Sequence, residues 1–324
     1  MNKKEIIKKL QPLVALVVMV LVLSLMSDKF LTFANGRNIL LQISVNLCLS
    51  LGMTLVILTG GIDLSVGAIL AFAGAFAAGL LKNGIILGRF GLAVQFTVFG
   101  AVLAGILAGF VLGWFNGLVI TKFRLPPFVA TLGMLSIARG LTMLWTGGFP
   151  VTDLGTKFDF MGAGFFLGIP MAVWISAALV AFFYLVTRRT ILGRYIYAVG
   201  GSEKAAAFSG INVDRIKLWV YALTGALAAI GGLIVTARLD AADPKAGEGY
   251  ELDSIAAVVI GGTSLSGGEG SILGTVLGCL IIGVLNNGLF LLDISPFWQQ
   301  VIKGFVILAA VAADKFGTRR QSYS

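Results

Sequence analysis

The sequence predicts an all-α polytopic membrane protein with about ten transmembrane helices, and three observations predict it. The 324 residues are 58% hydrophobic, against roughly 45–50% in soluble domains. Only 12% are charged and the mean hydropathy is +0.97, so a soluble core could not hide this much apolar surface. Apolar runs of the length that crosses a ~30 Å hydrocarbon layer as a helix, about 20 residues, recur along the whole chain.

Hydropathy and the positions of charge place the spans near residues 12–30, 38–59, 66–81, 92–121, 127–146, 165–186, 218–237, 252–264, 271–292 and 297–313. The third and eighth are short, and the fourth is long enough to be tilted or broken. Together they make a single transmembrane domain, 1–324, with a long basic loop at about 187–217 and an acidic loop at about 238–253. The first run follows "MNKKEIIKK" but lacks a clear small-residue cleavage site in "SDKFLTFANG", so it reads as an uncleaved span rather than a signal peptide.

Orientation follows from Lys and Arg. Lys3, Lys4, Lys8 and Lys9 precede the first span; Arg188, Arg189 and Arg194 open the long loop; Lys315, Arg319 and Arg320 follow the last. An even number of spans puts all three clusters on one face, which the positive-inside rule makes cytoplasmic, termini included. The net charge of +9 is thus a topology signal; no basic stripe with an aromatic platform points to nucleic acid. On the opposite face, "RLDAADPKAGEGYELD" carries Asp240, Asp243, Glu248, Glu251 and Asp253, either a solvated loop or a docking surface for an external partner.

The chain contains no histidine, which removes His-based triads, most zinc chemistry and the usual proton shuttle near pH 7. The two cysteines, Cys48 and Cys279, sit in separate apolar spans and suggest neither a disulfide nor a metal site. Gly105, Gly109, Gly113 and Gly117 recur every fourth residue and lay a bare stripe along one helix face, against which another helix can approach closely.

Polar groups at membrane depth need partners or a function. Gln42, Asn46, Asp63, Asn116, Arg139, Asn286, Asn287, Gln299, Gln300 and Lys303 fall in or beside spans. "GGIDLSVG" around Asp63 is either a helix break lining a pathway or a tight turn capped by the carboxylate. Asn286 and Asn287 are adjacent, so they point to different helix faces. Neutral amides near Phe290, Phe297 and Trp298 suit a polar, uncharged solute such as a sugar, whose hydroxyls need donors and acceptors and whose CH faces favour aromatics; amides also glue helices together.

In the long loop, Ser202 can cap a short helix from Glu203 to Ser209 and Gly210 can end it in the left-handed conformation. The helix presents Ala205, Ala206, Ala207 and Phe208, either as a knob for a partner's groove or as a surface helix packed on its own bundle. "GGTSLSGGEGS", Gly261 to Ser271, imitates the signature loop of cassette ATPases. No Gly-x-x-x-x-Gly-Lys-Ser/Thr phosphate loop accompanies it, and an apolar span follows it. Its glycines are expected to turn the chain, with Ser271 capping the next helix.

The stretches "GMTLVILTGGIDLSVGAIL", "GRYIYAVGGSEKAAAFSGINVDRIK", "AGEGYELDSIAAVVIGGTSLSGGEGSILGT" and "LNNGLFLL" resemble the permeases of bacterial ATP-binding-cassette importers for ribose and related monosaccharides. The resemblance covers nearly the whole chain. It implies a homodimer in the cytoplasmic (inner) membrane with a sugar path near the dimer axis, two cytoplasmic ATPase subunits beneath and an extracytoplasmic sugar-binding protein above. It implies no cofactor on this chain, with ATP and Mg bound by the partner ATPase. The ATPase-coupling helix of that family maps onto Glu203, Lys204, Ala205, Ala206, Ala207, Phe208, Ser209, Gly210, Ile211 and Asn212. Its sugar contacts carry over through no motif, so the pathway candidates Gln42, Asn46, Asp63, Asn116, Asn286, Asn287, Phe297 and Trp298 rest on physical argument alone. A different class, an ion-coupled secondary transporter, would use Asp63 as its proton or sodium carrier; a membrane-embedded enzyme lacks the residues for chemistry.

Overall fold

The computed structural model describes residues 3–87 and 92–321. The predicted basic clusters Lys3 to Lys9 and Lys315 to Arg320 have side chains outside those described. The order is α1 (Lys3–Met26), α2 (Phe33–Leu58), α3 (Val66–Asn83), β1 (Ile85–Leu87), β2 (Leu92–Val94), α4 (Val98–Lys122), α5 (Pro127–Thr146), β3 (Val151–Thr152), α6 (Thr156–Ala163), β4 (Phe165–Phe166), β5 (Ile169–Pro170), α7 (Met171–Arg189), α8 (Ile191–Gly201), α9 (Glu203–Phe208), α10 (Val213–Leu239), β6 (Ala241–Ala242), α11 (Tyr250–Ile260), α12 (Ile272–Leu291) and α13 (Pro296–Gln321).

Among the described residues seven helices are long and apolar enough to cross a membrane: α2, α3, α4, α5, α7, α10 and α12. The apolar part of α1 is the shorter Pro12–Met26, and α11 has only 11 residues. Two predicted spans start too early. Residues 92–94 pair with 85–87 in a hairpin before α4, and Phe165–Phe166 pairs with Ile169–Pro170 before α7. Both stretches are apolar enough to extend a hydropathy window while holding strand geometry. The helix α6, with Phe158 wholly buried, lies in a stretch too short and polar for a span.

Side-chain caps fix many helix starts. Thr32, Thr97, Thr190, Ser202, Asn212 and Ser271 each accept a hydrogen bond from the backbone N–H three residues on, satisfying donors that a helix leaves orphaned.

The chain divides into two compact units, each assembled from separate stretches: residues 1–61, 180–211 and 252–324 in one, 62–179 and 212–251 in the other. In the second unit α10 packs on α3, α4 and α6. The glycine stripe of α4 meets this helix: a β-carbon on Gly113 would strike the Tyr221 carbonyl, and Gly109 and Gly225 face each other. One helix over, Gly232 of α10 sits against the Leu70 carbonyl of α3, and Gly74 of α3 against the Thr236 hydroxyl of α10. Backbone-to-backbone approach replaces side-chain interdigitation, as small residues allow within membranes. The acidic loop is held down here. Val151–Thr152 pairs with Ala241–Ala242, Asp240 accepts from the Leu154 amide at 2.8 Å, and Arg139 donates to the carbonyls of Pro244 and Ala246 at 2.6 and 3.0 Å.

In the first unit α12 packs on α1 and α2. Gly278 sits against the Ala257 carbonyl, Gly283 under Ile43 and Gly288 under Leu23. Thr54 and Thr275 share a buried hydrogen bond of 2.6 Å.

Candidate translocation and coupling sites

The capped helix of the long loop forms as expected. The Ser202 hydroxyl accepts from the Ala205 amide at 3.2 Å, α9 follows, and Gly210 takes φ 82° while the Ile211 amide returns to the Ala206 carbonyl at 3.0 Å. Burial sorts the candidate residues. Ala206 turns inward at 4% exposure, whereas Phe208 stands 93% exposed. Glu203, Lys204, Ala205, Ala207, Ser209, Gly210 and Asn212 are exposed, and Ile211 is half-buried. Ala206 is therefore part of the support, and Phe208 is the apolar group on offer.

Behind this helix, α8 is clamped inside the first unit. Gly200 has no room for a β-carbon, which would meet the Leu58 carbonyl and the Gly268 amide. Tyr197 donates to the Gly270 carbonyl at 2.9 Å. Partial burial raises the Tyr197 hydroxyl above its ordinary value, against the opposing pull of Arg188, so it remains a donor at neutral pH. The turn that imitates an ATPase loop is thus a structural seat for α8. Within it the Ser264 amide donates to the Glu269 carbonyl at 2.9 Å, Gly262, Gly267 and Gly268 take φ of 88°, 85° and 75°, and Ser271 caps α12.

One signal went unread in the sequence. "GGIDLS" at 60–65 and "GGTSLS" at 261–266 are the same pattern, and the two turns are alike, with the glycine that ends the helix one position further along the pattern in the second. Gly60 and Gly262 both end a helix at positive φ, with the next amide returning to Val56 and Val258 respectively. Asp63 and Ser264 each accept from the amide two residues on, at 2.9 and 3.3 Å.

Asp63 lies in a turn between the end of α2 and the start of α3, and its carboxylate caps that turn. In the second unit its Oδ1 accepts from both the amide and the hydroxyl of Ser65, at 2.9 and 2.6 Å, and Asn116 donates to the Ser65 hydroxyl at 2.9 Å. Asp63 and Asn116 are both buried, at 0% and 1% exposure.

The remaining pathway candidates separate. In the first unit Asn287 and Asn35 exchange side-chain hydrogen bonds of 2.8 and 2.9 Å, which makes Asn287 a clasp between α12 and α2. Asn286 points elsewhere and donates to Asp253 at 3.2 Å; Lys303 reaches the same oxygen at 2.9 Å. Asn46 accepts from the hydroxyls of Ser50 and Ser254 at 3.2 and 3.3 Å. Gln42 is exposed, and Phe297 and Trp298 are 80% and 63% exposed, so none of these three joins the amides. The aromatics lie beyond the turn after α12, and closeness in sequence across that turn did not bring them to one face. Asp253, read as part of an acidic loop that is either solvated or a docking surface, is 8% exposed in the first turn of α11.

Seven helices among the described residues, long and apolar enough to cross a membrane and packed glycine against glycine within each unit, are the architecture of a multi-pass membrane protein. The chain belongs to the family of branched-chain amino acid transport system permease components, whose model matches residues 36–311. It is 48% identical over 312 residues to the ribose import permease protein of Bacillus subtilis, covering 96% of this chain and 94% of the relative. Identity to the ribose import permease of Escherichia coli K12 is 47% over 306 residues, 93% of this chain and 92% of the relative. The D-allose transport system permease protein of the same organism is 40% identical over 294 residues, 90% and 86% of the two chains. No solved structure matches. The chain is a multi-pass protein of the bacterial inner membrane.

Proposed function

We propose that this chain is the permease subunit of an ATP-driven importer that carries ribose across the cytoplasmic membrane by alternating access. The observation that carries the reading is the near-full-length identity of 48% to a ribose import permease. The working assembly is a homodimer with about ten membrane-crossing helices per subunit and cytoplasmic termini. Two ATPase subunits hydrolyse ATP beneath it, and an extracytoplasmic binding protein delivers the sugar.

The exposed Phe208 on α9 supports ATPase docking at residues 203–212, since a lone apolar side chain presented on a short, capped helix suits a partner's groove. Closure of the ATPases on ATP draws these helices together. The pull passes through α8 to the end of α2 and to the turn at 261–270, to which α8 is clamped. ATP and the loaded binding protein act as ligands that each favour one state of a two-state bundle.

An ion-coupled carrier is not favoured, because the relatives are import permeases. Reconstitution into vesicles with candidate ATPase and binding-protein partners tests the reading. ATP-dependent uptake of ribose is expected; uptake by the chain alone on an ion gradient would overturn it.

A further inference from the structure

Three helices of the first unit bring an ion pair and an amide together at one point. Asp253 in the first turn of α11 accepts from Lys303 of α13 at 2.9 Å and from Asn286 of α12 at 3.2 Å, both on Oδ2. The Asp253 and Lys303 side chains are only 11% and 28% exposed. One residue along, Ser254 donates to Asn46 of α2 at 3.3 Å.

This arrangement is poorly explained as a fastener. Taking an ion pair out of water can cost more than the pair returns, and an apolar pair of similar size often holds helices as well. Asn286 lies in the membrane-spanning α12, and polar groups kept within spans more often serve the passage of a solute. The cluster also has unused hydrogen-bonding capacity. Asn286 Oδ1 is buried and has no hydrogen-bond partner among the described residues. Neither contact to Asp253 uses its Oδ1, and a lysine ammonium has three donors, of which Asp253 takes one.

The charges cancel, so neither an anion nor a cation is favoured. What fits is a neutral ligand whose groups each both donate and accept, and adjacent hydroxyls are that ligand: one carboxylate or amide oxygen takes a hydroxyl proton while the ammonium gives to the hydroxyl oxygen. Lys303 lies seven residues from the start of α13 and Asn286 five from the end of α12, roughly 10 and 8 Å within those helices. In the orientation proposed above, these are the ends nearer the sugar-binding protein.

We propose that Asp253, Lys303 and Asn286, with Asn46 and Ser254 beside them, form a binding site for the vicinal hydroxyls of a neutral monosaccharide entering the membrane. The site rests on the importer reading, and the test separates the two. In vesicles holding the full complex, wild-type uptake of ribose and of 2-deoxyribose is measured first; no ATP-dependent uptake of ribose would sink the importer reading itself. Next come Asp253→Asn, Lys303→Met and Asn286→Leu, each checked for assembly by co-purification of the ATPase. Asp253→Asn keeps the shape of the side chain and guards against misfolding.

Ribose uptake is expected to fall at least tenfold in assembled variants, with the ratio of ribose to 2-deoxyribose uptake narrowing at least threefold. The same binding protein delivers both sugars, so its own selectivity cancels between variants. An equal fall for both sugars, unchanged uptake, or full recovery in the charge-swapped pair Asp253→Lys with Lys303→Asp would reduce the cluster to a fastener and overturn the proposal.

Discussion

The amide of Gly268 donates to the carbonyl oxygen of Leu58 at 3.0 Å, joining the end of α2 to the turn before α12, and Gly200 of α8 is seated against both atoms. Three chain segments meet here through backbone alone. Such a junction has little compliance: side chains can change rotamer, but carbonyls and amides in contact can only move together. A displacement of α8 is therefore passed to α2 and to residues 261–270.

Replacing Gly200 by Ala puts a methyl group into that junction. Overpacking of this kind costs about 1–3 kcal/mol, and it separates the three segments without altering α9. Sugar-stimulated ATP hydrolysis by the reconstituted complex should fall several-fold while the ATPase still co-purifies. Full stimulation in the Gly200→Ala complex would show that the junction plays no part in transmission.

The split between Ala206 and Phe208 makes a second pair of outcomes. Phe208→Ala removes an exposed side chain and leaves the fold untouched, so thermal stability should hold while ATPase affinity drops by at least about 1 kcal/mol, roughly fivefold. Ala206→Glu places a charge in a buried position and should lower the melting temperature. Binding assays on detergent-purified permease and its partner, beside a thermal melt, distinguish the two.

How far these features could be read in advance depended on the range of the interactions behind them. The cap at Ser202, the left-handed Gly210 and the start of α12 at Ser271 are set within four or five residues, and the sequence displays them. The glycine stripe of α4 was legible for the same reason, but its partner α10 was not, since a bare face does not say what will cover it. The Asp253–Lys303 pair links positions 50 residues apart, and Asp253 looked like one more solvated acid because nothing local marks the start of α11. Gln42 followed hydropathy to a plausible depth but lies on the exposed side of α2, a matter of rotation that a helix with little amphipathic contrast does not reveal. The repeated "GG-x-[DS]-LS" pattern was available and would have identified Asp63 as a turn residue.

That assignment of Asp63 is open to a direct measurement. Asp63→Asn keeps the Oδ1 acceptor used by Ser65 and removes the ability to carry a proton or to hold a sodium ion electrostatically. ATP-driven uptake by Asp63→Asn should stay within about threefold of wild type, a change of roughly 0.7 kcal/mol. Asp63→Ala leaves the Ser65 amide and hydroxyl without their acceptor in a buried site, and should cost about 1–3 kcal/mol of stability. Loss of transport in Asp63→Asn with a normal melt would instead make the charge itself essential.

The clasp between Asn35 and Asn287 supplies the sharpest stability test, because each amide is the other's partner. The two side chains are 6% and 3% exposed, and their mutual hydrogen bonds of 2.9 and 2.8 Å use the oxygen of each. Asn35 also donates to the Phe30 carbonyl at 2.9 Å, so it anchors the turn before α2 as well. Removing Asn287 alone, as Asn287→Leu, strands a buried amide that bilayer or core cannot hydrate, and about 1–3 kcal/mol of destabilisation follows. Replacing both residues by Leu removes the stranded group together with its partner. The double variant should then be less destabilised than the sum of the singles by at least about 0.5 kcal/mol, short of full recovery because the Phe30 carbonyl still loses its donor. Thermal unfolding of all four proteins in one detergent completes the cycle. Additive single effects would mean that the two amides are held by their separate surroundings and not by each other.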